Sequence, residues 1–196
     1  DVCGPHVELK DKTGAPVSCE DEIAELLRQI QGGKIAAVKG LGGFHLVCDA
    51  ANAVAVSELR RRKHRPFKPF AVMTLNDLSA SRFVRISEKA SKELHSPQAP
   101  IVLCPKTNDA DRLLPGIAPE LNRIGIMMPY TPIHWLLFFE AIGRPEDPDW
   151  YKKECDLVLV MTSANAGGEP LVIGNDEAVQ KLDGIADLFL THNRDI

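Results

Sequence analysis

The fold is decided by Leu157-Val158-Leu159-Val160-Met161, an unbroken apolar run of strand length. A strand that is apolar on both faces must be covered on both faces, so such a run indicates a sheet between layers of helices. Similar runs recur along the chain and predict the remaining strands, at residues 35–38, 44–48, 70–75, 101–104, 124–128 and 188–191.

Helical patterns alternate with these runs. Ile23, Leu26, Leu27 and Ile30 have the spacing of one helix face, after a capping-box sequence that begins at Ser18. Further helices are predicted to start near Asn52, at Pro132 after a Thr131 cap, and at Asn175. The fold class is therefore α/β, with a mixed twisted β-sheet flanked by helices.

Length and composition favour one ordinary domain. The chain has 196 residues, 23 basic and 27 acidic side chains, and no apolar run of about 18 residues that could cross a bilayer. Its start lacks the pattern of a signal peptide, so we expect a cytoplasmic protein without a membrane partner. Five widely spaced cysteines without a Cys-x-x-Cys pair favour a reducing compartment and no complete metal site, although Cys3 is a candidate ligand of a zinc knuckle.

A basic cluster spans residues 60–68, with six Lys or Arg in nine positions of an acidic chain. Such local positive charge favours a phosphate site over a surface for nucleic acid, which is normally basic as a whole. Lys63, Arg65 and Lys68 are separated by proline and aromatic residues and are predicted to converge on a triphosphate. Residues 60–62 are instead interpreted as a solvated helix end that the helix dipole stabilises.

A second candidate segment, residues 162–170, follows the strand at 157–161. Open α/β sheets place ligands at the carboxyl ends of strands. Ser163 and Asn165 offer polar groups to phosphate or ribose, and Gly167 and Gly168 allow a close backbone approach. An ordinary turn is the alternative for this segment alone, and its pairing with the basic cluster favours a site.

The glycine turn at 40–43 is a weaker signal, because it lacks the features of a phosphate-binding P-loop. Lys39 and His45 flank this turn and are candidates for lining a pocket, unless they simply face solvent. His134 and His192 are interpreted as structural histidines with satisfied hydrogen bonds.

Several segments, in order along the chain, resemble the YrdC-like domain of HypF, the family of carbamoyltransferases of NiFe-hydrogenase maturation. The segments are Lys39-Gly40-Leu41-Gly42-Gly43-Phe44-His45, Lys63-x-Arg65-Pro66-x-Lys68-Pro69-Phe70, Asn122-Arg123-x-Gly125, Pro129-Tyr130-Thr131-Pro132-x-His134, Thr162-Ser163-x-Asn165 and His192-Asn193-Arg194. The resemblance implies that residues 1–196 form one YrdC-like domain of a longer protein. Residues 1–6 would be the remnant of a zinc-knuckle region, beside acylphosphatase-like and carbamoyl-transfer domains.

The resemblance also implies a reaction. Carbamate, derived from carbamoyl phosphate, would attack ATP to give carbamoyl-adenylate and pyrophosphate with Mg²⁺ on the phosphates, and HypE would be the downstream acceptor. Its implied site residues are Lys63, Arg65 and Lys68 on the phosphates, Ser163 and Asn165 on phosphate or ribose, Lys39, His45 and Arg123 near the carbamate, and Arg194 closing over the nucleotide.

Two alternatives remain open within the YrdC superfamily. One is a threonylcarbamoyl-adenylate synthase, and the other is a module that binds double-stranded RNA. Recognition of threonine is disfavoured because residues 39–45 replace the Pro-Thr-Asp-Thr-x-Tyr-Gly of the tRNA-modifying members. Met127 also stands where those members have an arginine.

Overall fold

The computed structural model describes Gly4, residues 6–165 and residues 170–194. Its strands are β1 Val7–Asp11, β2 Ala36–Lys39, β3 Phe44–Asp49, β4 Ala71–Met73, β5 Val102–Pro105, β6 Arg123–Met127, β7 Leu159–Ser163 and β8 Leu188–His192. Its helices are α1 Glu22–Gln31, α2 Ala53–Arg62, α3 Asp77–Ala80, α4 Glu88–Leu94, α5 Ala110–Leu113, α6 Pro132–Ala141 and α7 Asn175–Lys181, with a 3-10 turn at Trp150–Lys152.

All eight strands form one sheet in the order β1-β8-β2-β3-β7-β4-β6-β5. The pairs β2–β8 and β4–β6 are parallel and the other pairs are antiparallel. The predicted mixed sheet is therefore confirmed, and each predicted strand is present. Strand β1 was not predicted, because its short Val-Glu-Leu-Lys-Asp sequence alternates apolar and charged residues instead of forming an apolar run.

Each face of the sheet has its own core. On one face, Phe44, Val72 and Val160 pack with buried residues of α2, α4 and α7. On the other face, Val47 and Leu159 pack with buried residues of α1 and α6. Two covered faces explain why the strands lack the alternation of a half-exposed sheet.

Helix starts follow the predicted caps, with one correction. Asn52 and Thr131 cap α2 and α6 through their side chains, as predicted. Helix α1 is capped by Asp21, whose carboxylate accepts from the N–H groups of Ile23 and Ala24 at 2.9 Å each. The cap predicted at Ser18 is wrong because this residue lies three positions too early to reach those donors.

The described cysteines, Cys19, Cys48, Cys104 and Cys155, are free thiols, and the last three are buried. Cys3 lies outside the described residues. Within the described ranges, no helix is long and apolar enough to cross a membrane.

The strand register brings the predicted site segments to one end of the sheet. His45 of β3 pairs with Ser163 at the end of β7. Lys39 ends β2, and Arg123 begins β6. Residues from distant parts of the sequence thus meet along one rim of the sheet.

Candidate functional site

The loop after α2 begins with a tight helix end. The N–H groups of Arg65 and His64 donate to the carbonyls of Arg60 and Arg61 at 3.0 and 3.2 Å, the pattern of a Schellman cap. His64 holds the left-handed position with φ of 48°. This position usually needs glycine, so the chain tolerates local strain where the loop turns back toward the sheet.

Arg60 holds this loop in place. Its guanidinium donates to the Gly116 carbonyl at 2.6 and 2.8 Å, and to the carbonyls of Arg65 and Lys68 at 2.9 and 3.1 Å. It also lies 4.5 Å from the Phe70 ring centroid. The interpretation of Arg60 as part of a solvated helix end is therefore wrong, because its guanidinium donates hydrogen bonds to carbonyls of the protein instead of to water.

Arg62 is also held by protein groups. It pairs with Glu58 at 2.7 Å and with Asp187 at 2.9 Å. Arg61 pairs with the same Glu58 at 2.7 Å but is exposed, so a solvated helix end describes this residue alone. The interpretation of residues 60–62 as a solvated helix end is therefore wrong for Arg62 as well as Arg60, and the assignment of Lys63, Arg65 and Lys68 to phosphate stays a prediction.

Lys63 joins the basic cluster to the segment after β7. Its Nζ donates to the carbonyls of Ser163 and Asn165 at 2.7 and 2.9 Å and lies 3.4 Å from Asn165 Oδ1. The Ser163 hydroxyl donates to the same Oδ1 at 2.8 Å. The structure thus brings together the two segments that the sequence singled out separately, whereas Gly167 and Gly168 lie outside the described residues.

The ammonium of Lys63 is buried among other cations. Only 7% of the residue is exposed. Burial, followed by the charges of Arg65 and Lys68, lowers the pKa of Lys63 to about 8. The negative charge of a bound anion would favour the charged form of Lys63 and raise this pKa, so the arrangement favours a phosphate group.

Arg65 and Lys68 complete a cationic cleft. Arg65 donates to Thr162 Oγ1 at 3.1 Å and to the carbonyls of Lys68 and Pro69. Within the described part of the chain, the exposed Lys68 side chain makes no hydrogen bond or ion pair, and it can turn toward a ligand. We call this space the cationic cleft; it has a volume of about 380 Å³ and is lined by residues 63–68, Ser163 and Asn165.

An apolar cleft adjoins the cationic cleft. It has a volume of about 580 Å³ and lies on the part of the sheet beyond α6, with Ala71, Ile101, Leu103, Gly125 and Met161 among its lining residues. Arg65 and Ser163 line both clefts. Exposed Arg123 stands at the rim of the apolar cleft and donates to the Leu103 carbonyl at 3.3 Å. Sequence analysis did not predict this cleft, because its lining comes from four strands that are distant from one another along the chain.

Lys39 lies apart from both clefts. It is 5% exposed, and its Nζ donates to the carbonyls of His192 and Arg194 at 3.3 Å each. Asn175 Nδ2 donates to the same His192 carbonyl at 3.3 Å. Lys39 and Asn175 therefore stabilise the backbone at the end of β8 and just after it. The exposed Arg194 lies in this segment.

Three rings form a cluster beside Ser163. The Tyr130 ring makes edge-to-face contacts with two histidine rings. Its centroid lies 6.5 Å from that of His45 and 4.7 Å from that of His134. Within the described residues, Nδ1 of His45 and Nδ1 of His192 are buried without a hydrogen-bond partner. The interpretation of His192 as a satisfied structural histidine is therefore wrong for this atom. His134 is buried, and its Nδ1 accepts the Tyr130 N–H at 3.5 Å.

The described residues contain no group of three or more His, Cys, Asp or Glu side chains that could hold a metal ion. Mg²⁺ commonly takes most of its ligands from substrate phosphates and water, so it does not need such a group. Ser163 Oγ and Asn165 Oδ1 are neutral oxygen atoms at the cationic cleft, but Oδ1 accepts the Ser163 hydroxyl at 2.8 Å and lies 3.4 Å from the Lys63 ammonium, so these two atoms do not form a site for a cation.

The Sua5/YciO/YrdC family model, described as telomere recombination, matches residues 28–196. The chain belongs to the Sua5/YciO/YrdC family. Its YrdC-like fold also appears in Pyrococcus abyssi Sua5 complexed with L-threonine, with a TM-score of 0.65 over 84% of this chain and 45% of that one. At 18% identity this likeness shows the fold alone.

Higher similarity links this Sua5/YciO/YrdC member to proteins named HypF. Carbamoyltransferase HypF2 of Cupriavidus necator is 53% identical over 96% of this chain, and carbamoyltransferase HypF of Rhodobacter capsulatus is 45% identical over 99%. A full-length HypF in a phosphate- and nucleotide-bound form matches 99% of the chain with a TM-score of 0.85 and 40% identity. The chain spans 23%, 24% and 23% of these three proteins, respectively.

Proposed function

We propose that this chain binds ATP and forms carbamoyl-adenylate from carbamate, as an activation step in the carbamoyl transfer of hydrogenase maturation. The observation that carries the proposal is the link from Lys63 to the carbonyls of Ser163 and Asn165. It joins a group of cations to the carboxyl end of a sheet strand, where α/β proteins bind nucleotides.

The reaction needs charge stabilisation more than acid–base catalysis. A carbamate oxygen attacks the α-phosphorus, and the bond from this phosphorus to the bridging oxygen of the β-phosphate breaks. Pyrophosphate leaves with the electron pair, and no proton has to move. Cations fixed in place beforehand lower the energy of the negative charge that develops on the phosphate oxygens.

We assign each part of ATP to one region. The β- and γ-phosphates would contact Lys63, Arg65 and Lys68, and the α-phosphate would lie at Ser163, which lines both clefts. The apolar cleft would take the adenine base, since a flat apolar ring gains by leaving water. Arg123, at the rim of the apolar cleft, lies on the opposite side of β7 from His45, so we assign it to the α-phosphate and not to the carbamate that the resemblance implied.

Lys39 and Arg194 would act together. The Lys39 ammonium contacts the carbonyls on either side of Asn193, so we assign it to positioning Arg194, which would close over the nucleotide. Mg²⁺ would be held by phosphate oxygens of the bound nucleotide, because Asn165 Oδ1 already faces the Lys63 ammonium. The ion would neutralise charge on the phosphates, with the remaining ligands supplied by water.

The carbamoyl part of the proposal is supported by the relatives named carbamoyltransferase HypF. Because the chain spans about a quarter of these proteins, we also propose that it works with further domains, namely the zinc-knuckle, acylphosphatase and carbamoyl-transfer domains. HypE would be the downstream acceptor, and the reaction would be cytoplasmic.

Exchange of labelled pyrophosphate into ATP tests this function directly. Ammonium bicarbonate would serve as the carbamate source, compared with L-threonine plus bicarbonate and with neither addition. Exchange that depends on the carbamate source alone is the expected result. Exchange that needs threonine would instead indicate threonylcarbamoyl-adenylate synthesis, and ATP binding without any exchange would contradict catalysis by this chain.

A further inference from the structure

The ring cluster of His45, Tyr130 and His134 borders the position assigned to the α-phosphorus. His45 on β3 pairs with Ser163 on β7. The apolar cleft includes residues of β4, β5 and β6, which lie on the opposite side of β7 in the sheet order. A group attached to the α-phosphate can therefore extend toward the ring cluster while the base occupies the apolar cleft.

Burial favours the neutral form of both imidazoles in the ring cluster. Burial, followed by the neighbouring His45, lowers the pKa of His134 to about 3. Burial also lowers the pKa of His45. Because His134 Nδ1 accepts the Tyr130 N–H, its proton lies on Nε2, which makes that atom a hydrogen-bond donor.

His45 has an unmet hydrogen-bonding requirement. Its Nδ1 is buried without a partner in the described ranges. The ring is held against the glycine turn, since a Cβ at Gly40 would lie 3.1 Å from Nδ1. The glycine turn closes off Nδ1, so the ring nitrogen that remains for a ligand is Nε2, which is not among the buried atoms without a partner.

We propose that His45, Tyr130 and His134 form the subsite for the carbamoyl group, with Tyr130 and His134 as specificity-determining residues. This inference rests on the proposed function and names the subsite for the second substrate. A carbamoyl group is small and planar, carrying N–H donors and a carbonyl acceptor. Neutral imidazoles can offer both a donor and an acceptor.

The absence of positive charge in these rings also suits the chemistry. A cation beside the carbamate would bind the oxygen that has to attack phosphorus and would weaken it as a nucleophile. Neutral rings leave this oxygen free, while Lys63 and Arg65 stay with the phosphates. The neutral imidazoles would therefore bind the carbamate, and the cations Lys63 and Arg65 would bind the phosphates of ATP.

Calorimetric titration with two adenosine ligands tests the subsite. AMP lacks the carbamoyl group, and 5′-O-(N-carbamoylsulfamoyl)adenosine is a stable mimic of carbamoyl-adenylate. We expect Tyr130→Phe and His134→Leu to weaken binding of the mimic about tenfold, as for one lost hydrogen bond, with AMP affinity unchanged within about twofold. His134→Gln, which keeps a donor, should restore part of the affinity.

Matched controls remove the same groups elsewhere. Tyr151→Phe and His95→Gln alter exposed residues outside the ring cluster and should change neither affinity. Equal weakening of both ligands, or of neither, by the ring variants would overturn the subsite but leave the nucleotide site standing. So would a wild-type chain that binds the mimic no better than AMP. A wild-type chain that binds neither AMP nor ATP would overturn the proposed function as well.

Discussion

The cationic cleft and the apolar cleft share Arg65 and Ser163 but are built in different ways. The cationic cleft comes from one continuous loop, residues 63–68, laid against the end of β7. The apolar cleft is formed by neighbouring strands of the sheet, β4, β5, β6 and the end of β7, with the segments beside them. One arrangement concentrates charge and the other concentrates apolar surface, so together they match a ligand with a charged tail and a flat apolar ring.

The difference also separates the cations of the basic cluster. Arg60, Arg62 and Arg65 all donate to groups of the protein, but among these three only Arg65 also lines both clefts. Arg60 and Arg62 fix the loop, and the loop presents Lys63, Arg65 and Lys68. Two of the six cations, Arg60 and Arg62, therefore stabilise the loop, Arg61 is solvated, and Lys63, Arg65 and Lys68 are the three that we assign to the ligand.

The largest expected effect comes from removing the charge of the cationic cleft. In a variant with both Arg65→Ala and Lys68→Ala, two charged contacts to phosphate are lost, and each is worth about 1.5 to 3 kcal/mol. We expect ATP affinity to fall at least ~100-fold by calorimetry, with adenosine affinity unchanged.

Lys92→Ala is the matched control, because it removes an exposed ammonium from α4. Thermal unfolding would show whether the double variant still folds, since Arg65 also bonds to Thr162. ATP turnover at the wild-type rate in the double variant would contradict the assignment of these residues to the phosphates.

The second effect is a pH dependence set by Lys63, whose pKa of about 8 lies below its ordinary 10.5. Bound phosphate favours the charged form, so above about pH 8 binding must take up a proton. The Kd for ATP should rise by up to about tenfold per pH unit above 8 and stay flat just below it.

In the absence of ATP, the stability of the protein should change with pH in the opposite direction to its affinity for ATP. Between pH 8 and 10.5 the unfolded chain binds more protons at Lys63, so the free energy of unfolding should increase with pH. Lys63→Arg is the control, since arginine stays charged and should flatten the binding profile. A wild-type profile without any change between pH 7 and 10 would show that Lys63 does not contact the phosphate.

A smaller effect is expected in the apolar cleft. A Cβ at Gly125 would lie 2.8 Å from the Ile101 side chain, which is exposed and can move aside. Gly125→Val should therefore fill the floor of the apolar cleft and weaken ATP binding about tenfold, while tripolyphosphate binding stays unchanged.

Gly125→Ala should give an intermediate loss, because it adds one methyl group in place of three carbons. Equal weakening of ATP and tripolyphosphate by Gly125→Val would show that the base does not enter the apolar cleft. These two ligands thus test whether the division between the clefts is functional.

Most of the fold could be predicted because its strands are mostly continuous apolar runs, α1 has a periodic apolar face, and the starts of α2, α6 and α7 carry sequence signals. Helix α4, with seven mostly polar residues, carries too little periodicity to be recognised. The role of Arg60 could not be predicted because its main partner, the Gly116 carbonyl, lies 56 residues away. Likewise, Lys39 and His45 are close in the sequence, but their roles differ in the structure. Lys39 donates to the carbonyls of His192 and Arg194, whereas His45 belongs to the ring cluster.

The smallest expected effect concerns His64, which both lines the cationic cleft and holds the left-handed position after α2. Glycine at this position relieves the strain on Cβ, partly offset by its greater freedom in the unfolded chain. His64→Gly should therefore raise the free energy of unfolding by about 0.5 to 1 kcal/mol.

His64→Ala is the matched control because it removes the imidazole but keeps Cβ, so it should give no gain in stability. If the loop alone presents the cations, both variants should bind ATP as the wild type does. Weaker ATP binding by both variants would mean that the imidazole itself contacts the phosphates, which would add a titratable group to the cationic cleft. Weaker ATP binding by His64→Gly alone would mean that the strained turn is needed to position Arg65. The increase in stability would then be accompanied by a loss of ATP affinity.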